Sequence, residues 1–195
     1  AGRFWTQEMA IRPLKERSSD ERKALFMEYD WVALNESGVQ VSHQEAFDIF
    51  HDLTQMGRGS KPTIYEDVHP TLIALKQRGL IQGVISNMGR ELNQLCRNLG
   101  VDGFFEVSIN SEEAGIEKPH PDIFHKALAQ IGMEASQAVY IGDQEEIDVA
   151  GAVAAGMVPV LLDRFGVSPE GGWTCMRSLE ELPGYLDREF APRGH

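Results

Sequence analysis

Residues 138–157 read AVYIGDQEEIDVAGAVAAGM, and this stretch decides the fold. Ala138–Ile141 is a short β-branched and aromatic run. Gly142 and Asp143 close it, a second acid follows at Asp148, and an Ala/Gly-rich helical pattern completes the segment. An acid at the end of a buried strand stands where open α/β sheets place their ligands. A strand core has no use for a carboxylate, and the glycine before Asp143 predicts close approach of something to the backbone. Asp148 also reads as a first-turn acid that complements a helix dipole.

Outward from this segment the same rhythm runs back to about residue 63. Leu72, Ile73 and Leu75 lie on a helix that Gly79 ends, and QGVIS (82–86) reads as a strand. A helix over 90–99, a strand over 104–109 (FFEVSI), a helix over 123–131, a helix over 148–155 and a strand over 157–162 (MVPVLL) follow. Short apolar strands alternating with amphipathic helices predict βαβ units around a parallel sheet. The tail SLEELPGYLDREF (178–190) reads as one short helix or two.

The first 56 residues or so differ. Phe4, Trp5, Met9 and Leu14 stand among polar residues. Leu25, Phe26, Tyr29 and Val32 keep the helical period, and so do Ala46, Phe47, Phe50 and Leu53. Ser18-Ser19-Asp20 and Ser42 supply N-caps. MGRGSKP (56–62) breaks the pattern as a hinge or linker would. The reading is therefore a helical segment with linker over 1–62 and an α/β core over 63–195.

Composition bounds the function. The 195 residues carry a net charge of −12, with 42% hydrophobic and 25% charged. Nucleic acid and anionic membrane surfaces need a basic face, so neither is an expected partner. A small phosphorylated substrate needs only local positive charge. No apolar run of transmembrane length and no signal-peptide pattern is present. Of the two cysteines, Cys96 lies at helical spacing with Leu92, Leu95 and Leu99 and reads as a core residue. A cytoplasmic protein without a disulfide framework is expected.

Three segments carry polar groups where strands or loops end. ISN (85–87) offers the Ser86 hydroxyl and backbone N–H groups to an anion, though Ser86 reads equally as the N-cap of the next helix. EAGIEKPHPDIF (113–124) holds Lys118 beside Pro119 and Pro121, which stiffen the loop and can aim a fixed charge inward. An ordinary surface lysine is the competing reading. Asp143 and Asp148 together suit a hard cation such as Mg²⁺, which takes oxygen ligands and keeps several waters.

In order, ISN, EKPHPDIF and GDQEEID resemble the later three motifs of the haloacid dehalogenase (HAD) superfamily. SEEAGIEKPHPDIF (111–124) is especially similar, and the resemblance covers about residues 63–163. It implies a Rossmann-like parallel sheet core, with the preceding helices as the cap domain that many members insert. It also implies roles. Ser86 and the Asn87 backbone would hold phosphoryl oxygens, Lys118 would neutralise substrate and nucleophile, Asp143 would bind Mg²⁺, and Asp148 would orient the metal's surroundings. The family's chemistry is attack by an aspartate on phosphorus, followed by hydrolysis of the aspartyl-phosphate.

The family's first motif, a strand ending in DxDGT or similar, is not here. No acid before residue 50 follows an apolar β run, and Asp30 in FMEYDWVAL reads better as helical. In the family that strand lies mid-sheet, between those ending at Ser86 and Gly142. Unpaired buried backbone groups cost about 1–3 kcal/mol each, so the usual sheet is not expected to close from these residues alone. Either a gap or a substitute strand is predicted at its centre. The nucleophile is expected upstream of Ala1, because AGRFW begins abruptly. The alternatives are that another segment or another chain fills the slot, or that the protein is a degenerate, non-catalytic member.

The leading expectation is a Mg²⁺-dependent phosphomonoesterase acting on a small phosphorylated metabolite. A 2-haloacid dehalogenase is the alternative enzyme, against which the acid pair in GDQEEID argues. A non-catalytic binding or regulatory protein is the alternative of another class. GRGSK (57–61) lacks the spacing of a phosphate-binding P-loop. His43, His51, His69, His120 and His125 show no metal spacing, and His120 stands where many relatives have Asp. Trp5, Trp31 and Phe47 suit core packing better than a substrate pocket.

Overall fold

The computed structural model describes residues 17–57, 61–89, 91–166 and 172–190. The chain divides into two compact units, residues 1–61 and 62–195.

The first unit is a helical pair, α1 (Ser19–Glu36) and α2 (His43–Gly57). Both begin as their caps predict. Glu21 N–H donates to Ser18 Oγ while the Ser18 N–H donates to Glu21 Oε2, and Ser42 and Glu45 repeat the exchange at α2. Leu25 and Ala46 are buried between the helices. Trp31 stacks on His43 at 4.4 Å and donates its indole N–H to the Val41 carbonyl. Phe47 stacks on His51 at 6.0 Å. Both aromatics thus have partners inside their own unit; Trp5 lies outside the described residues. Asp30 sits within α1, so it tips no strand.

The second unit alternates as the sequence predicts: α3 (Val68–Gln77), β1 (Gly83–Ser86), α4 (Leu92–Asn98), β2 (Val107–Asn110), a single turn α5 (Ser111–Ala114), α6 (Pro121–Ile131), β3 (Val139–Gly142), α7 (Ala150–Ala154), β4 (Val158–Leu162), β5 (Thr174–Met176) and α8 (Glu181–Phe190). Every strand pairing is parallel. Along β3 the side chains alternate. Val139 and Ile141 pack with Val160, Leu75, Leu182 and Tyr185, while Tyr140 packs with Phe124, Ala152 and Ile109. Helices therefore cover both faces of this sheet, as in doubly wound α/β proteins.

The strands form two sheets, β1-β2 and β3-β4-β5, not one. Among the described residues no strand lies between β1 and β3, so each keeps one unpaired edge. This is the expected gap. Gly83 is exposed and the other residues of β1 and β3 are only half-buried, whereas Val107, Ile109, Val160 and Leu161 on the neighbouring strands are buried. Helix α6 spans the two sheets through Ile123 and Phe124, both with no exposed surface.

Two expectations need correction. The strand predicted over 104–109 begins only at Val107. Asp102–Phe104 form a 3₁₀ turn, and Phe104 and Phe105 pack against Leu92, Cys96 and Val101 instead of joining the ladder. Strand β5 went unpredicted, since TCM (174–176) is too short to show a period. The tail forms a single helix.

Asp67, just before α3, is buried and gathers four hydrogen bonds. It accepts from both Arg164 guanidinium nitrogens at 2.7 and 3.1 Å, from Ser178 Oγ and from the Leu179 N–H. These fasten α3 to the segments after β4 and β5. The Arg164 contact holds the Asp67 carboxyl at about 2, well below the ordinary range.

Candidate active site

The site grows from the ends of β1 and β3. Past Gly142 the chain does not enter an α-helix directly. Residues Glu145–Val149 form a π-helical turn that leads into α7, a local geometry that often accompanies functional sites. This turn swings the Asp148 side chain back over the strand end. Asp148 Oδ2 accepts the N–H groups of Asp143 and Gln144, each at 3.1 Å. Asp148 is 2% exposed. It is more than a first-turn acid: it ties the loop carrying Asp143 into one shape.

Gly142 is what permits this. A Cβ there would run into Cβ, Cγ and Oδ2 of Asp148. The close approach predicted from the glycine is therefore made by the chain's own carboxylate.

The other Asp148 oxygen, Oδ1, receives the Lys118 ammonium at 2.6 Å. The pair is largely dry, with side-chain exposures of 12% and 3%, so Lys118 is no surface lysine. Its loop is set by the prolines: His120 caps α6 and Pro121 occupies the helix's first turn. His120 Nδ1 accepts the Asp122 N–H at 3.2 Å, which is the task an aspartate would perform at this position.

Asn87 joins β1 to the lysine. Its Oδ1 accepts the Lys118 N–H at 2.8 Å and its Nδ2 donates to the Lys118 carbonyl at 3.0 Å. Ser86, at the strand tip, accepts the Met88 N–H on its hydroxyl oxygen at 3.1 Å. It shapes its own turn and is not the N-cap of α4, whose N-cap is Glu91. The fold thus links Asn87, Lys118, Asp148 and Asp143 in one chain of contacts, with Ser86 adjacent through Asn87.

Tyr140 was not singled out by the sequence, where it counts as one more β-former in a strand. Its hydroxyl lies 3.0 Å from Lys118 Nζ and 3.4 Å from both Asp148 Oδ1 and the Ile85 carbonyl across the open slot. Burial, reinforced by Asp148, pushes its phenol far above the ordinary range. No local sequence signal marks it, because the partners of its hydroxyl come from segments 8 to 55 positions away.

The donor set can be weighed against a hard cation. Both Asp148 oxygens are committed to N–H and ammonium donors. Asp143 is exposed, and its carboxylate makes no hydrogen bond or ion pair among the described residues. One free carboxylate at a strand end fits Mg²⁺, which keeps most of its waters and needs only one or two protein carboxylates.

Residues 6–156 match the haloacid dehalogenase-like hydrolase family, and the chain belongs to it. Among relatives of known name, the glyceraldehyde 3-phosphate phosphatase of Methanopyrus kandleri is 40% identical over 102 residues, 51% of this chain and 43% of that protein. Among solved structures, a HAD phosphatase from Thermococcus onnurineus superposes with a TM-score of 0.63 at 24% identity, covering 84% of this chain and 89% of that one. A 2-haloacid dehalogenase from Pseudomonas syringae pv. Tomato DC3000 does so with a TM-score of 0.61 at 28% identity, covering 95% and 79%. The chain spans about half the length of the curated relatives it matches. Both the family and the Rossmann-type fold expected from the three motifs are thereby shown. Among the described residues no helix is long and apolar enough to cross a membrane.

Proposed function

We propose that this chain belongs to a Mg²⁺-dependent phosphomonoesterase, cytoplasmic, acting on a small phosphorylated metabolite through an aspartyl-phosphate. The observation that carries the reading is the Lys118 ammonium, held dry against one oxygen of Asp148 whose other oxygen accepts the Asp143 N–H. A fixed, largely dry cation at the site suits a phosphoryl group better than a neutral substrate. Phosphatases among the relatives point the same way.

In this reading Lys118 binds a phosphoryl oxygen and offsets charge on the nucleophile. Ser86 Oγ–H and the N–H of Asn87 bind further oxygens. Asp143 would hold the metal, and Asp148 shapes the loop that presents it. Mg²⁺, when bound, supplies Lewis-acid stabilisation of the transferring group. The nucleophilic aspartate comes from a strand that fills the slot between β1 and β3. Its carboxylate attacks phosphorus as the alcohol leaves, and water then cleaves the acyl-phosphate to free phosphate and regenerate the acid. The N-terminal helical unit corresponds to the family's cap.

The test is Mg²⁺-dependent phosphate release from p-nitrophenyl phosphate by the full-length protein. Turnover that Asp143→Asn abolishes supports the proposal. Absence of turnover overturns it, and halide release from a 2-haloacid in its place would identify a dehalogenase.

A further inference from the structure

We propose that Tyr140 is a positioning residue for Lys118, fixing the direction in which its ammonium presents its remaining hydrogen; the inference rests on the phosphotransfer reading above. An ammonium has three N–H donors. One goes to Asp148 Oδ1 at 2.6 Å and a second to the Tyr140 oxygen at 3.0 Å. With two directions occupied, rotation about the last carbon–nitrogen bond is stopped and the third donor has one heading. Lysine is otherwise a poor directional donor, because its head rotates freely.

The hydroxyl is well suited to this task. Its oxygen accepts from Lys118, so its single hydrogen is left for Asp148 Oδ1 or the Ile85 carbonyl, each 3.4 Å away. Its high pKa keeps it a neutral phenol, so it adds no second anion beside the ammonium. The ring cannot swing away. It meets Phe124 edge-on, centroids 4.8 Å apart at 79°, and Phe124 has no exposed surface. Gly151 in turn leaves room for Phe124, whose ring carbons would lie 2.6 and 2.7 Å from any Cβ there.

Packing alone does not account for this residue. Phenylalanine would fill the same space among Ile109, Phe124 and Ala152 without a polar group to satisfy. What the hydroxyl adds is a contact to Lys118, and with it a fixed geometry at the charge that meets the substrate.

The experiment compares Tyr140→Phe, Lys118→Met and the double variant in the full-length protein, by calorimetric titration with inorganic phosphate at saturating Mg²⁺ and with Mg²⁺ alone. A hydrogen bond to a charged group corresponds to about a tenfold change in binding. Tyr140→Phe is therefore expected to weaken phosphate about tenfold, leave Mg²⁺ affinity within about twofold, and lower kcat for p-nitrophenyl phosphate. In the Lys118→Met background the same change is expected to do nothing further, since the head group it orients is gone. A loss that persists in that background means Tyr140 acts through the fold and overturns the proposal. Unchanged phosphate affinity in Tyr140→Phe alongside a loss in Lys118→Met overturns the Tyr140 role and leaves the site standing. No loss in either variant overturns both.

Discussion

The side chain of Asn87 holds the main chain of Lys118 as a second strand would. Its carbonyl oxygen takes the lysine N–H at 2.8 Å and its amide donates to the lysine carbonyl at 3.0 Å. A residue at the tip of β1 thereby sets the backbone of a loop 31 positions later, and the lysine side chain is braced at its far end by Asp148. Lys118 is thus fixed at both ends by the chain's own groups.

Asn87→Ala removes both bonds and leaves a loop amide and carbonyl to water. The chain is expected to lose about 1–2 kcal/mol of stability, two ordinary hydrogen bonds' worth. Urea unfolding checks this: the midpoint falls while the denaturant slope stays the same.

Lys118 and Asp148 are a desolvated pair, so removing one partner strands the other. Lys118→Met is expected to destabilise by about 3 kcal/mol, at the low end for such pairs, because two backbone N–H groups still serve Asp148. Combined with Asp148→Asn, the total loss should fall short of the sum by about 1–3 kcal/mol. An additive cycle in urea melts would show that the two do not interact.

Gly142→Ala places a methyl into the Asp148 carboxylate. It is expected to destabilise by about 1–3 kcal/mol, the usual range for overpacking. The loop should also loosen, with the amide protons of Asp143 and Gln144 exchanging faster, since their acceptor is displaced. Unchanged exchange at both amides would count against the Asp148 contact.

Asp67 should make the fold acid-sensitive. Its folded-state pKa, about 2, lies below the ordinary 3.8. The folded state therefore prefers the ionised form, and the stabilisation is complete above pH 3.8. It is lost as pH falls from there through about 2, where protonation ends the Arg164 contact. Asp67→Asn is expected to flatten that part of a stability-against-pH curve measured by thermal unfolding, while lowering stability at pH 7.

Much of this could be seen in the chain itself. The helical period in α1 and α2, the short apolar runs of the strands, and the N-caps at Ser18 and Ser42 are local properties. The phrases around Ser86, Lys118 and Asp143 were recognisable because their residue types contradict burial or helix continuity at strand ends. Strand β5 and the true start of β2 were not, since three residues show no period and the phenylalanines at 104 and 105 obey a packing cluster elsewhere in the chain.

By itself, then, the sequence determined the alternation of strands and helices, the family, and which acids and which lysine stand where strands end or loops turn. These follow from patterns a few residues long. Tertiary structure alone decided their connections: that Asp148 serves both the loop of Asp143 and the lysine, that Asn87 clamps Lys118, and that Tyr140 reaches a hydroxyl to the ammonium. These contacts join groups separated by 4 to 31 positions in the chain. A hydrogen bond depends on ångström distances that only the packed sheets and helices establish.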